Sequence, residues 1–280
     1  MNSAEHLAAA LTKHFGISIL AMDRTRSEGM EVTVLPGGIA PTVSFRITLL
    51  LAWRTLTAVF EPGSFAAGLV RSMNASTHEQ RAVFAAFASS LQKKGAKVLL
   101  KFDDRPADPA NPAEWPARWN SITAEMQKVG IDLENSGSYN FDAAFPWVSA
   151  FLGMVLAILP PESIPTNGRN AEEEGAEFCT TVRRYERSRV NRALCIEVHG
   201  TSCKICGFDF GEKYGKDGLG FIHVHHTVPV SEMGGSYVLN PETDLIPVCP
   251  NCHAMIHRRM PPYTVEEIRN MIRKGESAGG

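Results

Sequence analysis

The sequence predicts an α+β protein of two domains, and three observations carry that expectation. Residues 43–49, VSFRITL, alternate apolar and polar side chains with the period of a half-buried strand. Residues 76–95 read instead as a capped amphipathic helix, with Ser76 and Glu79 at capping-box spacing and Phe84, Phe87 and Leu91 on one face. From residue 160 to 176 the text becomes PPESIPTNGRNAEEEGA, a linker by its Pro, Gly, Asn and acidic content. The expected organisation is a domain over 1–165, a linker over 166–176 and a second domain over 177–280. At 280 residues the chain exceeds the usual single domain, in keeping with that division.

In chain order, a helix over residues 3–14 leads to short strands near 17–22 and 30–35, then to the 43–49 strand, with Arg54–Phe60 as its pairing partner. The helix opened by Ser76 closes on Lys93-Lys94-Gly95, a basic last turn and a glycine stop, and AKVLLKF (96–102) continues as a strand. After a Pro- and Asp-rich loop, Trp115 and Trp119 lie four apart at helical spacing, suited to packing or to a base-stacking platform. WVSAFLGMVLAIL, between Pro146 and Pro160, carries no charge. As a helix it spans about 20 Å against a hydrocarbon core of about 30 Å, and its flanks Asp142 and Glu162 lack basic residues. It is expected to be a buried core or oligomer-interface helix. Residues 1–165 show no catalytic motif.

The net charge of −2 gives no global basic field, so any contact with nucleic acid has to come from a local patch. The opening MNSAEHLAAALTKHF lacks a signal-peptide pattern, and four of the six cysteines fall in two C-x-x-C pairs. A cytoplasmic protein with reduced, metal-ligating thiols and no membrane partner is the expectation. Cys203-Lys-Ile-Cys206 and Cys249-Pro-Asn-Cys252 are two knuckles able to close one tetrahedron. Four sulfurs leave no position for water, so the site would hold a structural Zn2+. Cys179 and Cys195 are expected as free buried thiols.

Histidines form a second set. His253-Ala-Met-Ile-His257 places two imidazoles on one helical face, and FIHVHHTVPV (221–230) adds His225 and His226. If the knuckles are drawn together, the two sets meet. His225, His253 and His257 would leave positions open for water or phosphate, the mark of a catalytic divalent cation: Mg2+, Mn2+, Ni2+ or Zn2+. His226 then remains as general base. Neighbouring strand residues face opposite ways, so the pair serves one centre only where the strand bends or ends. His199 reads as a helix end and His223 as a partnered structural histidine. Arg183, Arg184 and Arg187, with Arg189 and Arg192, recur at helical spacing, as phosphate contacts or as a solvated face paired with Glu172–Glu174. Arg258 and Arg259 follow directly on the HxxxH helix and are expected to contact nucleic acid at the scissile phosphate.

The run YERSRVNRALCIEVHGTSCKICGFDFGEKYGKDGLGFIHVHHTVPVSEMGGSYVLNPETDLIPVCPNCHAMIHRR, Tyr185 to Arg259, resembles an HNH endonuclease domain of the four-cysteine type found in bacterial restriction and defence nucleases. The resemblance implies a ββα-metal fold, in which the HH strand and a strand at DLIPV form a hairpin on the helix from Pro250 to Arg259. It also implies His225, His253 and His257 as ligands, His226 as base, and Asp244 in the place usually held by Asn, orienting the base or drawn toward the metal. Asn251, between two zinc ligands, reads as a turn residue. The implied activity is metal-dependent hydrolysis of DNA phosphodiester bonds in restriction or anti-phage defence, with a homodimer suited to cutting two strands. Two other readings stand beside it: a zinc-stabilised nucleic-acid-binding module without catalysis, and an effector nuclease joined to partner defence proteins through residues 1–165.

Overall fold

The computed structural model describes residues 4–27, 29–135, 138–159, 189–227, 240, 242–259 and 261–278. Two compact units emerge, Met1–Ala193 and Leu194–Gly280. The protein is α+β, as its sequence predicts.

The first unit is built on a seven-stranded antiparallel sheet. Its strands are β1 (Ile19–Arg26), β2 (Gly29–Pro36), β3 (Phe45–Ala52), β4 (Thr55–Pro62), β5 (Lys97–Phe102), β6 (Arg105–Ala107) and β7 (Ile122–Val129), in spatial order β1-β2-β3-β4-β7-β5-β6. Register aligns the buried positions: Val34, Ile47, Phe60, Ala124 and Leu100 face one another in a single row. Each of the five is at most 2% exposed. Full burial of such a side chain contributes about 1.5–3 kcal/mol, so alternation at period two is what fixes this register.

Helices α1 (Ala4–Phe15), α2 (Ala67–Asn74), α3 (His78–Lys93) and α4 (Phe141–Ile158) complete the unit, with a small hairpin of β8 (Glu134–Asn135) and β9 (Ser138–Tyr139) before α4. α3 packs on α4, which also meets α1 and β4. The α3 capping box is one residue later than Ser76/Glu79: the Thr77 hydroxyl accepts from Gln80 N at 3.2 Å and Gln80 Oε1 accepts from Thr77 N at 2.9 Å. Ser76 instead accepts from Arg81 Nε, so its side chain is directed elsewhere.

Three expectations in this unit are corrected. The apolar helix α4 begins before Pro146, capped by Asn140 on Ala143 N at 3.1 Å. Proline is tolerated there because the carbonyl it leaves unbonded belongs to exposed Asp142. With 18 residues α4 is long and apolar enough to cross a membrane, but two-thirds of it is buried in the fold. Gly153 lets it approach α3: a Cβ there would stand 2.6 Å from the Phe87 ring. Trp115 and Trp119 do not share a helix, since only a 3-10 turn, Pro112–Glu114, precedes them. They are core residues, with Trp115 edge-on to Phe84 at 5.0 Å and Trp119 at 4.9 Å from Phe102. Finally, β7 and α2 have no counterpart in the sequence expectation.

Of the helix expected over 177–199, residues 189–199 (α5) are described, and Cys179 lies outside the described residues. The second unit contains α6 (Phe210–Tyr214), a 3-10 turn (Gly215–Gly218), β10 (His223–His226), β11 (Leu245–Val248), α7 (Pro250–Ile256) and α8 (Val265–Ala278). β10 and β11 form an antiparallel hairpin, and α7 packs on β10 and α8. Buried Cys195 of α5 packs with Leu245 and Val224, on the two strands of that hairpin.

Candidate metal centres and catalytic residues

Cys203, Cys206, Cys249 and Cys252 converge, with all four sulfurs within 4.8 Å of one another. Local geometry places each. Cys203 N donates to Phe208 O and Gly207 N to Cys203 O, making the first knuckle a tight turn. Gly207 sits there at φ 74°, a conformation open to glycine. Cys249 caps α7, its sulfur accepting from Cys252 N at 3.4 Å. Zinc–sulfur bonds of about 2.3 Å put tetrahedral sulfurs about 3.8 Å apart. The Cys206 and Cys249 sulfurs are 3.7 Å apart. Electrostatics fit as well. Burial pushes the Cys203 thiol up, but backbone N–H groups of Cys206, Cys249 and Ile205 outweigh it and the net direction is down. Burial and the neighbouring sulfurs push Cys252 up. Thiolates crowded this closely need a cation among them, and a closed four-sulfur set has the composition of a structural zinc site.

Across the β10–β11 hairpin, His225 faces α7, and one ligand nitrogen from each of His225, His253 and His257 falls within 4.8 Å of the other two. The ring centroids are 5.6 Å apart for His225 and His253, 5.3 Å for His225 and His257, and 4.9 Å for His253 and His257. Burial, then the His253, His257 and His226 rings, push His225 down to about 4. His253 is lowered too, by burial first and then by His257 and His223. His225 and His253, held neutral, have a lone pair to give, and with the His257 ring beside them the group suits a divalent cation and leaves room for other ligands. The donor set fits the group.

β10 ends on His226, which pairs with Leu245 of β11. Burial lowers the His226 pKa against the opposing pull of the Asp244 charge. A neutral imidazole beside a carboxylate is equipped to accept a proton. Asp244 is buried, its Oδ2 accepting from Asn240 N at 2.7 Å and its Oδ1 from the Thr243 hydroxyl at 2.9 Å. It therefore braces the turn into β11, and it is not part of the three-imidazole group. His199 Nε2 donates to Glu242 O at 2.9 Å, tying the end of α5 to the same turn. His223 brings its ring to 5.1 Å from His253.

The basic residues fall differently. Arg183, Arg184 and Arg187 lie outside the described residues. Arg189 donates to Phe15 O at the end of α1. Arg258 is exposed. Arg259 donates to Pro261 O at 3.2 Å and Glu267 at 2.6 Å, and covers the Tyr263 ring at 4.0 Å. Those bonds fix the turn between α7 and α8. Thr264 and Glu267 cap α8 reciprocally, which places the Glu267 carboxylate to receive Arg259.

Residues 203–259 match the HNH endonuclease family model. The match spans both knuckles, the hairpin and α7, and it marks this region as an HNH domain, a nuclease-type module. No curated protein and no solved structure matches the chain.

Proposed function

We propose that the protein is a metal-dependent endonuclease that hydrolyses DNA phosphodiester bonds, in the bacterial cytoplasm and in the service of restriction or anti-phage defence. Convergence of His225, His253 and His257, with His226 and Asp244 alongside, carries the reading. Cys203, Cys206, Cys249 and Cys252 would hold a structural Zn2+ that fixes both ends of the hairpin segment. His225, His253 and His257 would hold the catalytic ion, Mg2+, Mn2+, Ni2+ or Zn2+, which supplies Lewis-acid stabilisation of charge at the scissile phosphate. His226 removes a proton from water, the oxygen attacks phosphorus, and the bond to the 3′ oxygen breaks, that oxygen leaving as an alkoxide that takes up a proton from solvent. Asp244 steadies the turn behind His226 and favours its protonated form during the transfer. Arg258, with Arg183, Arg184 and Arg187, adds phosphate contacts.

Double-stranded DNA is the proposed target, cut by a homodimer, with the 1–165 domain selecting the site or engaging partner defence proteins. Plasmid nicking with Mg2+ or Mn2+ tests the assignment. Removal of a general base costs ~10²–10⁴-fold in rate, so His226→Ala should nick that much more slowly than wild type. Equal rates for the two proteins, at equal zinc content, would end it.

A further inference from the structure

Along the chain leading into β10, Phe221, His223 and His225 fall at every second position, while Ile222 between them is 2% exposed. One face of this segment thus carries the imidazoles and the other fills the core. Phe221 continues the imidazole face outward, its ring 6.4 Å from His223, which is itself 5.1 Å from His253. Behind Phe221 stands Phe210, edge-on at 4.8 Å, and Phe210 stacks on Tyr214 at 5.8 Å with 21° between their planes. Phe210 also packs on the core cluster around the cysteines, which anchors the group.

These rings are displayed rather than hidden. Phe221 is 52% exposed, Tyr214 61% and the neighbouring Leu219 71%. Segment 210–218 is held in place by Asp209, whose Oδ2 accepts from Thr201 and Ser202 and whose Oδ1 accepts from Gly211 N and Glu212 N. An exposed aromatic row on a rigid support, continuous with a candidate phosphate-binding centre, matches the chemistry of a nucleobase. Anything seated on Phe221 also borders the His223–His253 pair. A base flanking the reacting phosphate meets that condition.

Resting on the nuclease reading above, we infer that Phe221, backed by Phe210 and Tyr214, is a stacking platform for an unpaired nucleobase beside the scissile phosphate. The domain then acts where a strand of its double-stranded target is locally opened, because a base inside a closed duplex has no free face to offer. The 210–218 segment carries Lys213 and Lys216 against Glu212 and Asp217, so its grip comes from the rings rather than from charge.

The test uses the full zinc-loaded chain without added Mg2+ or Mn2+, and the oligonucleotide is run on a gel after each titration so that only intact substrate is read. A single-stranded oligonucleotide containing 2-aminopurine is titrated with protein, and the fluorescence lost on stacking is read against the same sequence in duplex form. Quenching is expected on the single strand and not on the duplex. Phe221→Leu and Tyr214→Leu keep apolar bulk and remove the ring, and each should weaken single-strand binding ~5- to 100-fold. Phe221→Tyr should restore it. Leucine variants that bind like wild type, or quenching equal on duplex and single strand, overturn the platform. Plasmid nicking by the wild type separates the two ideas: quenching without nicking supports the platform and removes the nuclease reading, whereas nicking without quenching removes the platform alone.

Discussion

The two units of this chain solve the problem of stability by different means. The first buries six phenylalanines to under 2% exposure, Phe60, Phe84, Phe87, Phe102, Phe141 and Phe151, between a broad sheet and its helices. The second has a main core of Cys203, Ile222, Val248, Cys249, Cys252, Ile256 and Ile268, in which three of seven members are cysteines of the sulfur cluster. A core that small removes little apolar surface from water, and small domains of this kind depend on metals or disulfides. The lesson is that the same thiols serve as hydrophobes and as candidate metal ligands. In the first unit the core is almost wholly apolar, with a few buried serines; in the second, sulfur atoms make up much of it.

The largest expected difference comes from removing a ligand. Cys249→Ser should abolish zinc binding and unfold residues 194–280, since structural zinc contributes ~10 kcal/mol or more to such folds. Hydrogen exchange should show residues 194–280 fully exchanging while the sheet of the first unit stays protected. A second unit that kept its protection without zinc would erase the contrast. Next in size, Phe87→Ala should destabilise the first unit by about 3–5 kcal/mol, with zinc content unchanged. Denaturant titration followed by sheet circular dichroism measures it.

A pH effect sharpens the comparison at intermediate size. The His225 pKa is pushed from its ordinary 6.5 down to about 4 by burial and then by its neighbouring rings. Between those values the unfolded chain takes up a proton that the folded chain refuses, so stability of the second unit falls as pH drops through that window. His225→Asn removes the effect, and its midpoint should decline less than wild type over the same pH range; parallel declines would refute the shift. The smallest effect belongs to the first unit again: Thr77→Ala loses the α3 cap and should lower its stability by ~1 kcal/mol, read from its thermal midpoint.

How much of this could be read in advance depends on how local the signal is. The strand carrying Phe45, Ile47 and Leu49 and the helix carrying Phe84, Phe87 and Leu91 are legible because neighbours in sequence already state the period, although the strand runs Phe45–Ala52 and leaves Val43 exposed. The cap moved by one residue because Ser76 and Thr77 are both competent donors of a side-chain oxygen, and only the packed helix chooses. β7 has no counterpart in the sequence expectation because ITAEMQKV sets Ile122, Ala124 and Met126 among polar residues with only a small Ala between the larger side chains, a faint alternation until β4 and β5 flank it. Trp115 and Trp119, at a spacing suited to packing or to base stacking, take the packing role and are buried, whereas Phe221 shares the period-two face of His225, a spacing present in FIHVHH, and is 52% exposed.

By itself the sequence determined the candidate ligand pairs: C-x-x-C twice and HxxxH once are short-range spacings, and they fix which atoms can reach one point from a turn or a helix. Tertiary structure alone decided where those points lie, that His225 comes to α7 while Asp244 is spent bracing a turn, and that Arg259 ties two helices together. The reason is physical. Spacing within one element is set by covalent geometry, but the approach of residues twenty or forty positions apart is set by which surfaces bury together, and no single stretch of chain contains that information.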